Sequence, residues 1–340
     1  MVNARGYITT NFTKSFLTIF LPFFLVISLV YLIKLATLTA QIRLTFVEMA
    51  TLFSYSVPDI IFYTLPLSFI AALANTLVKL SIDNELIALY ALGINASRIL
   101  RSLFVTSLLF SILLLTLSLL AMPMSKQLYK AFKNEKRSEA KLDIVPGKLG
   151  QKFGDYYVYI KSKDRNGNFN DLVIYNRSDK NNEQFFAAKR GKLKKENGQS
   201  SLLLEEGYGY TYGESKLRQA QYRTLEAFNT ARPSVFRFEE IIDYWKRAKE
   251  DDKIMHRLLF FLFVSLIPML AVHPVAAFMM INPRYQSNHS FVVVALTTIT
   301  LYMIASSLEK WGTPILLIVS IVLFTLIGHA LFQKRVARYF

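Results

Sequence analysis

The sequence predicts an α+β membrane protein, with six transmembrane helices in a three-plus-three order around one inserted β-rich domain. Three observations carry that reading. Six stretches run uncharged for about 18 residues or more, the length that crosses a hydrocarbon core of about 30 Å. The charges are sorted along the chain: of 40 Lys and Arg, 28 lie between Lys126 and Arg257, together with 19 of the 24 acidic residues. That charged middle also alternates short β-forming runs with turn residues.

The first span runs Phe16 to Ile33 and meets Lys34 at its end. The second lies between Asp59 and Lys79, and the third between Arg101 and Lys126. Leu258 to Pro283, Tyr285 to Leu308 and Trp311 to Gln333 supply the other three. A cleaved signal peptide is the competing reading of the first span. Its apolar run is too long for a signal core, and no small-residue cleavage site follows at Lys34 to Ala40.

Orientation follows from basic residues in the short segments. Arg5, Lys14, Lys79, Arg98, Arg101, Arg284, Lys334, Arg335 and Arg338 fall on one side. Arg43 and Lys310 fall on the other, with Lys34 at the membrane edge. Both termini are therefore expected in the cytoplasm and the large middle domain outside, since long domains translocate regardless of their own charge. The net charge of +16 raises a nucleic-acid partner. Its flanking share sits at span ends, so membrane topology explains it and no nucleic acid is expected. The chain has no cysteine, hence no disulfide framework and no thiolate metal site.

Residues 126–237 form the expected external domain. Asp155 to Lys161 is β-forming, with Tyr156, Val158 and Ile160 on one face. Arg165-Asn166-Gly167-Asn168 signals a turn before Asp171 to Tyr175. Further strands are expected at Gln184 to Leu193, Ser201 to Glu206, Tyr208 to Tyr212 and Gln219 to Ala227. Such spacing reads as a sandwich, a jelly roll or an open barrel. Lys126 to Lys141 is helical in pattern and extends the third span, while Phe238 to Asp252 reads as an amphipathic helix leading into the fourth.

Catalytic chemistry is missing from the pattern. Gly147-Lys148-Leu149 and Gly191-Lys192-Leu193 lack the glycine spacing and the Ser or Thr of a P-loop. His256, His273, His289 and His329 are scattered without metal-ligand spacing, so no metal is expected. The carboxylate pairs Glu205-Glu206, Glu239-Glu240 and Asp251-Asp252 read as solvated surface. No Asp or Glu is central in a span, so no ion relay is evident. The sequence predicts neither an enzyme nor a bound cofactor.

Two charged positions are informative. Lys34 either snorkels to the interface or faces a lipid phosphate between helices, and position alone favours snorkelling. Between the second and third spans, Asp83 can cap a short helix and Gly93 can end it, giving residues 83–93. Leu86, Leu89 and Tyr90 would share its apolar stripe, with Glu85 near its start. Lying on the membrane and docking to a cytoplasmic partner are equally good readings of such a helix.

These features in this order resemble the LptF/LptG permeases of the lipopolysaccharide exporter. The resemblance covers essentially the whole chain. It rests on Val57-Pro58 and Leu65-Pro66-Leu67-Ser68 in the second span, Glu85 followed by Gly93, Asn282-Pro283-Arg284, and Tyr157-Val158-Tyr159-Ile160. These matches favour the LptF-like paralogue. Tyr285-Gln286-Ser287-Asn288-His289 departs from the glycine and second arginine common in LptF.

The resemblance implies a permease subunit that extracts lipopolysaccharide from the inner membrane of a Gram-negative cell. It implies pairing with an LptG-like permease, an LptB-like ATPase dimer supplying energy, and a β-slide continuous with LptC-like and LptA-like proteins. The middle domain would be a periplasmic β-jelly roll carrying acyl chains on the face with Tyr156, Val158 and Ile160. Lys34, with Tyr31 beside it and Arg43 in the following loop, would meet lipid phosphates. Asp83, Glu85, Leu86, Leu89, Tyr90 and Gly93 would form the helix that couples to the ATPase. The domains are then 1–125 with the coupling helix, 126–237, and 238–340. Competing functions are a membrane scaffold or receptor displaying the β-domain, and a permease of another lipid or lipoprotein exporter.

Overall fold

The computed structural model describes residues 4–39, 44–142, 145–153, 156–164, 167–176, 183–196, 199–213, 216–228, 238–280 and 290–338. The helices are α1 (Ala4–Thr39), α2 (Phe46–Ile82), α3 (Glu85–Ala91), α4 (Ala96–Thr116), α5 (Met122–Leu142), α6 (Ile241–Lys246), α7 (Asp252–Met279), α8 (Ser290–Trp311) and α9 (Pro314–Phe332). The strands are β1 (Gln151–Phe153), β2 (Tyr156–Lys163), β3 (Phe169–Asn176), β4 (Glu183–Glu196), β5 (Gln199–Gly213) and β6 (Lys216–Phe228). The chain divides into two compact units. One is Met1–Leu38, Phe46–Tyr129 and Phe238–Phe340; the other is Thr39–Thr45 and Lys130–Arg237.

Six helices among the described residues are long and apolar enough to cross a membrane. The third of them is composite: α4, a π turn at Leu117–Ala121 and the start of α5 form one run, Ala96–Lys136. The expected outward extension at Lys126 to Lys141 is thus part of a continuous helix. Burial separates the six. The most apolar windows of α2 and α7 are 72% and 67% buried, against 11% for α1 and 17% for α8 and α9. The first pair therefore makes the centre, and the other three spans show long apolar faces to their surroundings.

Small and hydroxylic residues mediate the closest contacts, as expected where lipid gives no hydrophobic drive between helices. Ser118 and Ser265 hydroxyls lie 3.2 Å apart, and Ser81 donates to the Met279 carbonyl at 3.0 Å. Gly328 in α9 lies against Pro274 in α7 so closely that a Cβ there would sit 3.0 Å from the Pro274 Cδ. Thr64 and Ser68, flanking Pro66, donate back to the carbonyls of Ile60 and Thr64 at 2.8 and 2.9 Å. An aromatic cluster fixes α1 to its neighbours. Phe12 meets Phe69 at 5.0 Å, and Phe16 meets Phe110 at 4.8 Å between ring centroids.

The β unit holds one six-stranded antiparallel sheet in the order β1-β2-β3-β4-β5-β6. Each described strand pairs with its sequence neighbour, a meander without the crossovers of a jelly roll. The two runs expected at Ser201 to Glu206 and Tyr208 to Tyr212 are one strand, β5. Glu206 takes φ +53° between them. Asp171 does the same in β3 at φ +51°. Pairing skips each residue together with those opposite, Arg223 and Lys189 at Glu206, and Lys161 and Lys189 at Asp171. Lysine reaches the displaced acid in both places, Lys161 to Asp171 at 3.1 Å and Lys189 to Glu206 at 3.9 Å.

The apolar face of this sheet is its core. Val158, Ile160, Leu172, Ile174, Leu202 and Leu204 are almost fully buried, with Phe153 of β1 and Ala227 of β6 in the same cluster. One continuous apolar cluster thus runs across the sheet from its first strand to its last. Gly207 permits one crossing. A Cβ there would overlap the Tyr222 ring, which passes β5 so that its hydroxyl donates to the Ala187 carbonyl of β4 at 3.0 Å.

Where the chain re-enters the first unit, the amphipathic helix expected over Phe238 to Asp252 is shorter: α6, then a 3-10 turn at Arg247–Lys249. Asp251 breaks it by capping α7, its carboxylate accepting the Lys253 amide at 2.8 Å.

Candidate functional site

Three places carry the residues singled out in sequence. The first is α3. Its N-cap is Asn84, held in the left-handed region at φ 58° without a side-chain bond, and not Asp83. The Asp83 amide donates to Lys79 O at 2.9 Å, so Asp83 still belongs to the closing turn of α2. Gly93 ends the helix as expected. Its φ of +77° suits glycine, its amide reaches Tyr90 O at 2.9 Å, and the next amide, of Ile94, reaches Leu89 O at 3.1 Å.

The Leu86, Leu89 and Tyr90 stripe packs against the chain's own core, with Leu86 buried. Leu89 and Tyr90 are half-buried there. Burial pushes the Tyr90 phenol up to about 12. Ile87 and Leu92 are exposed instead. Glu85 is turned toward α1, where the Tyr7 hydroxyl lies 2.9 Å from both of its carboxylate oxygens. No sequence signal pairs Tyr7 with Glu85, 78 residues apart.

The second place is the far end of α1. Lys34 is exposed, and its ammonium lies 4.9 Å from the Tyr31 ring centroid, one turn earlier. Lys34 is open to the surroundings although Leu35 and Leu38 next to it are buried. Arg43 lies outside the described residues, as does Asn282-Pro283-Arg284 with the segment after it.

Nearby in the same unit is a polar group that sequence reasoning treated merely as span boundaries. Asp59 of α2 is largely buried and pairs with Lys126 of α5 at 3.6 Å, while Lys126 also lies over the Phe261 ring at 5.5 Å. The Trp245 indole of α6 donates to Leu119 O at 2.8 Å, inside the π turn where helical bonding shifts register. Gln127 and the Glu239 backbone exchange two bonds, at 3.1 and 2.9 Å. Arg247 pairs with Glu239, and Arg257 donates to the Tyr244 hydroxyl at 3.2 Å. Asp59 was the available clue, the one acid bounding the second uncharged run.

The third place is the β-sheet face. Tyr156, Val158 and Ile160 do share a side, opposite Asn176, Ile174 and Leu172 of β3. Val158 and Ile160 are closed inside the core, and Tyr156 packs at its margin. The other side is aromatic and partly open: Tyr157, Tyr175 and Phe185 form a ladder with centroid spacings of 6.4 and 4.4 Å.

Among the described residues no three His, Cys, Asp or Glu come together as a metal site. Two of the scattered histidines do meet: the rings of His273 and His329 lie 5.4 Å apart, across the close approach at Gly328.

The chain matches the family described as lipopolysaccharide export system permease LptF/LptG over residues 6–334. The match runs through both groups of spans and the β unit between them. No curated protein matches the chain.

Proposed function

Because the chain belongs to the LptF/LptG family of lipopolysaccharide export permeases, a multi-pass inner-membrane family, we propose that it extracts lipopolysaccharide from that membrane and hands it to a periplasmic β-bridge, powered by a separate ATPase. The carrying observation is the extent of the match, from residue 6 to residue 334, over six spans and an inserted sheet. The second-span residues Val57-Pro58 and Leu65-Pro66-Leu67-Ser68 favour the LptF-like paralogue.

The physical requirement is large. Exposing an acyl chain costs about 0.8 kcal/mol per CH₂, so several chains together need an external energy source and a continuous apolar path. The lightly buried faces of α1, α8 and α9 suit pairing with an LptG-like permease around such a path. With both termini cytoplasmic and the β unit periplasmic, α3 faces an LptB-like ATPase dimer. Asp83, Glu85, Leu86, Leu89, Tyr90 and Gly93 are then its contact region, with the exposed Ile87 and Leu92 beside them. Lys34 and Tyr31 lie at the periplasmic end of α1, where an ammonium on an open face can meet lipid phosphates. Arg43 is assigned the same role. The edges of the sheet continue into LptC-like and LptA-like proteins. Acyl chains are carried along the apolar face with Tyr156, Val158 and Ile160.

Co-purification tests the reading. Affinity capture of the chain from the native membrane should bring down a cytoplasmic ATPase and a paralogous permease. Reconstituted together, they should move lipopolysaccharide on ATP hydrolysis, and Glu85→Lys should abolish transport without loss of folding. A chain that captures neither partner, or a Glu85→Lys complex that transports normally, refutes the coupling role.

A further inference from the structure

A cavity of about 240 Å³ lies between α1 and α2 at the end of the bundle next to α3. That is space for roughly eight waters at about 30 Å³ each. Tyr7, Asn11 and Lys14 line it from α1, on one face because residues three and four apart align along a helix. Asn75 and Lys79, one turn apart, line it from α2, and Glu85 of α3 lines it as well.

Most of these polar groups are committed to one another. Asn75 donates to the Ser15 hydroxyl at 2.9 Å, and Glu85 accepts from Tyr7. The two ammonium groups are different. Among the described residues, neither Lys14 nor Lys79 has an acidic partner within ion-pair distance. Both also stand at the edge of an uncharged run, Lys14 just before Phe16 and Lys79 at the end of the second span. That is the depth at which hydrocarbon gives way to phosphates.

Two cations at headgroup depth around one polar cavity, with the nearby carboxylate already bonded to a phenol, select an anion with several acceptor oxygens. We propose that the α1–α2 cavity binds a phosphate group, on a phospholipid headgroup or free in solution, between Lys14 and Lys79 with the Asn11 amide as a neutral donor. The site is separate from Lys34, at the other end of α1. Because Tyr7 and Lys14 share one helix face, a phosphate held there braces the α1 segment that is bonded to Glu85. Composition of the adjoining leaflet thereby reaches the helix assigned to the ATPase. The choice of the cytoplasmic leaflet rests on the orientation proposed above; the chemistry of the cavity does not.

The test uses the full chain in phosphatidylcholine vesicles containing a minority of photoactivatable phosphatidylglycerol. Crosslinks should map to the α1 and α2 peptides around Lys14 and Lys79. Lys14→Gln or Lys79→Gln should each reduce them about fivefold, while either Lys→Arg variant retains them. Thermal unfolding of the Gln variants in the same vesicles separates a lost site from a lost fold. A second arm measures whether inorganic phosphate, against chloride at matched ionic strength, protects Lys14 and Lys79 from acetylation. Lysine-dependent crosslinking supports a lipid source, and protection without crosslinking supports free phosphate. Equal crosslinking of wild type and folded Gln variants, or neither crosslinking nor protection, overturns the proposal. The lipid probe occupies both leaflets, so an inverted orientation leaves this result intact and is seen through accessibility labelling of Glu85 instead.

Discussion

The Tyr7 hydroxyl lies 2.9 Å from both carboxylate oxygens of Glu85, tying the first turn of α1 to the start of α3. A seven-residue helix is too short to be stable alone, so its position depends on such ties and on Leu86 beneath it. Tyr7→Phe removes the donor and leaves the ring. Because the pair is exposed, the loss should be modest, about 0.5–1.5 kcal/mol. Hydrogen exchange of the Glu85–Ala91 amides should accelerate about two- to tenfold, with global unfolding nearly unchanged. Unaltered exchange would show that packing alone holds the helix.

Asp59 and Lys126 form a pair whose worth a double-mutant cycle can measure. Lys126→Gln leaves a largely buried carboxylate without its cation, so it should destabilise more than Asp59→Asn together with Lys126→Gln. The coupling energy should be about 0.5–3 kcal/mol in detergent unfolding. Additive single effects would mean the pair is incidental.

Trp245 joins the segment before the fourth span to the π turn in the third. Trp245→Phe keeps most of the ring packing against Phe261 but leaves the Leu119 carbonyl without that donor. The expected cost is about 1–2 kcal/mol. Limited proteolysis at residues 241–249 should reveal it as earlier cleavage than in wild type. Unchanged cleavage would deny the indole a fastening role.

The β unit carries a pH signature. Burial pushes the Tyr222 phenol up to about 12, and its hydroxyl must stay protonated to donate to Ala187 O. In the unfolded chain the same group ionises near its ordinary value of about 10. Between those values the unfolded state has lost the proton and the folded state has kept it. The contribution is therefore full below pH of about 10 and is lost as pH rises toward about 12. Wild type should lose stability more steeply over that window than Tyr222→Phe, measured by circular-dichroism melts. Parallel slopes would contradict the assignment.

Gly207 makes that hydroxyl contact possible. Gly207→Ala places a Cβ 2.2 Å from Ala187 O and 2.4 Å from the Tyr222 hydroxyl, so backbone must move. We expect about 1–3 kcal/mol of destabilisation, on the scale of core overpacking, and partial recovery in Gly207→Ala with Tyr222→Leu. Lack of recovery would locate the strain in the strands themselves.

What the sequence determined by itself was whatever a local physical rule enforces. A bilayer excludes charge, so six uncharged runs gave six spans, and β-alternation put Tyr156, Val158 and Ile160 on one side of a strand. Gly93 was legible because a left-handed residue after a helix favours glycine. The tertiary structure decided the partners of polar groups and the facing of apolar ones. Leu86 has the same hydrophobicity whether it meets a partner or its own core, and only the spans beside it turn it inward. Nothing near Tyr7 announces Glu85, and nothing near Trp245 announces Leu119, 126 residues away. The meander order also needed the fold, since strand spacing is the same for a meander and a jelly roll. The physical reason is common to all three: hydropathy and periodicity act within a turn or a strand, whereas hydrogen-bond partners and buried faces are chosen among segments that come together after the chain has folded.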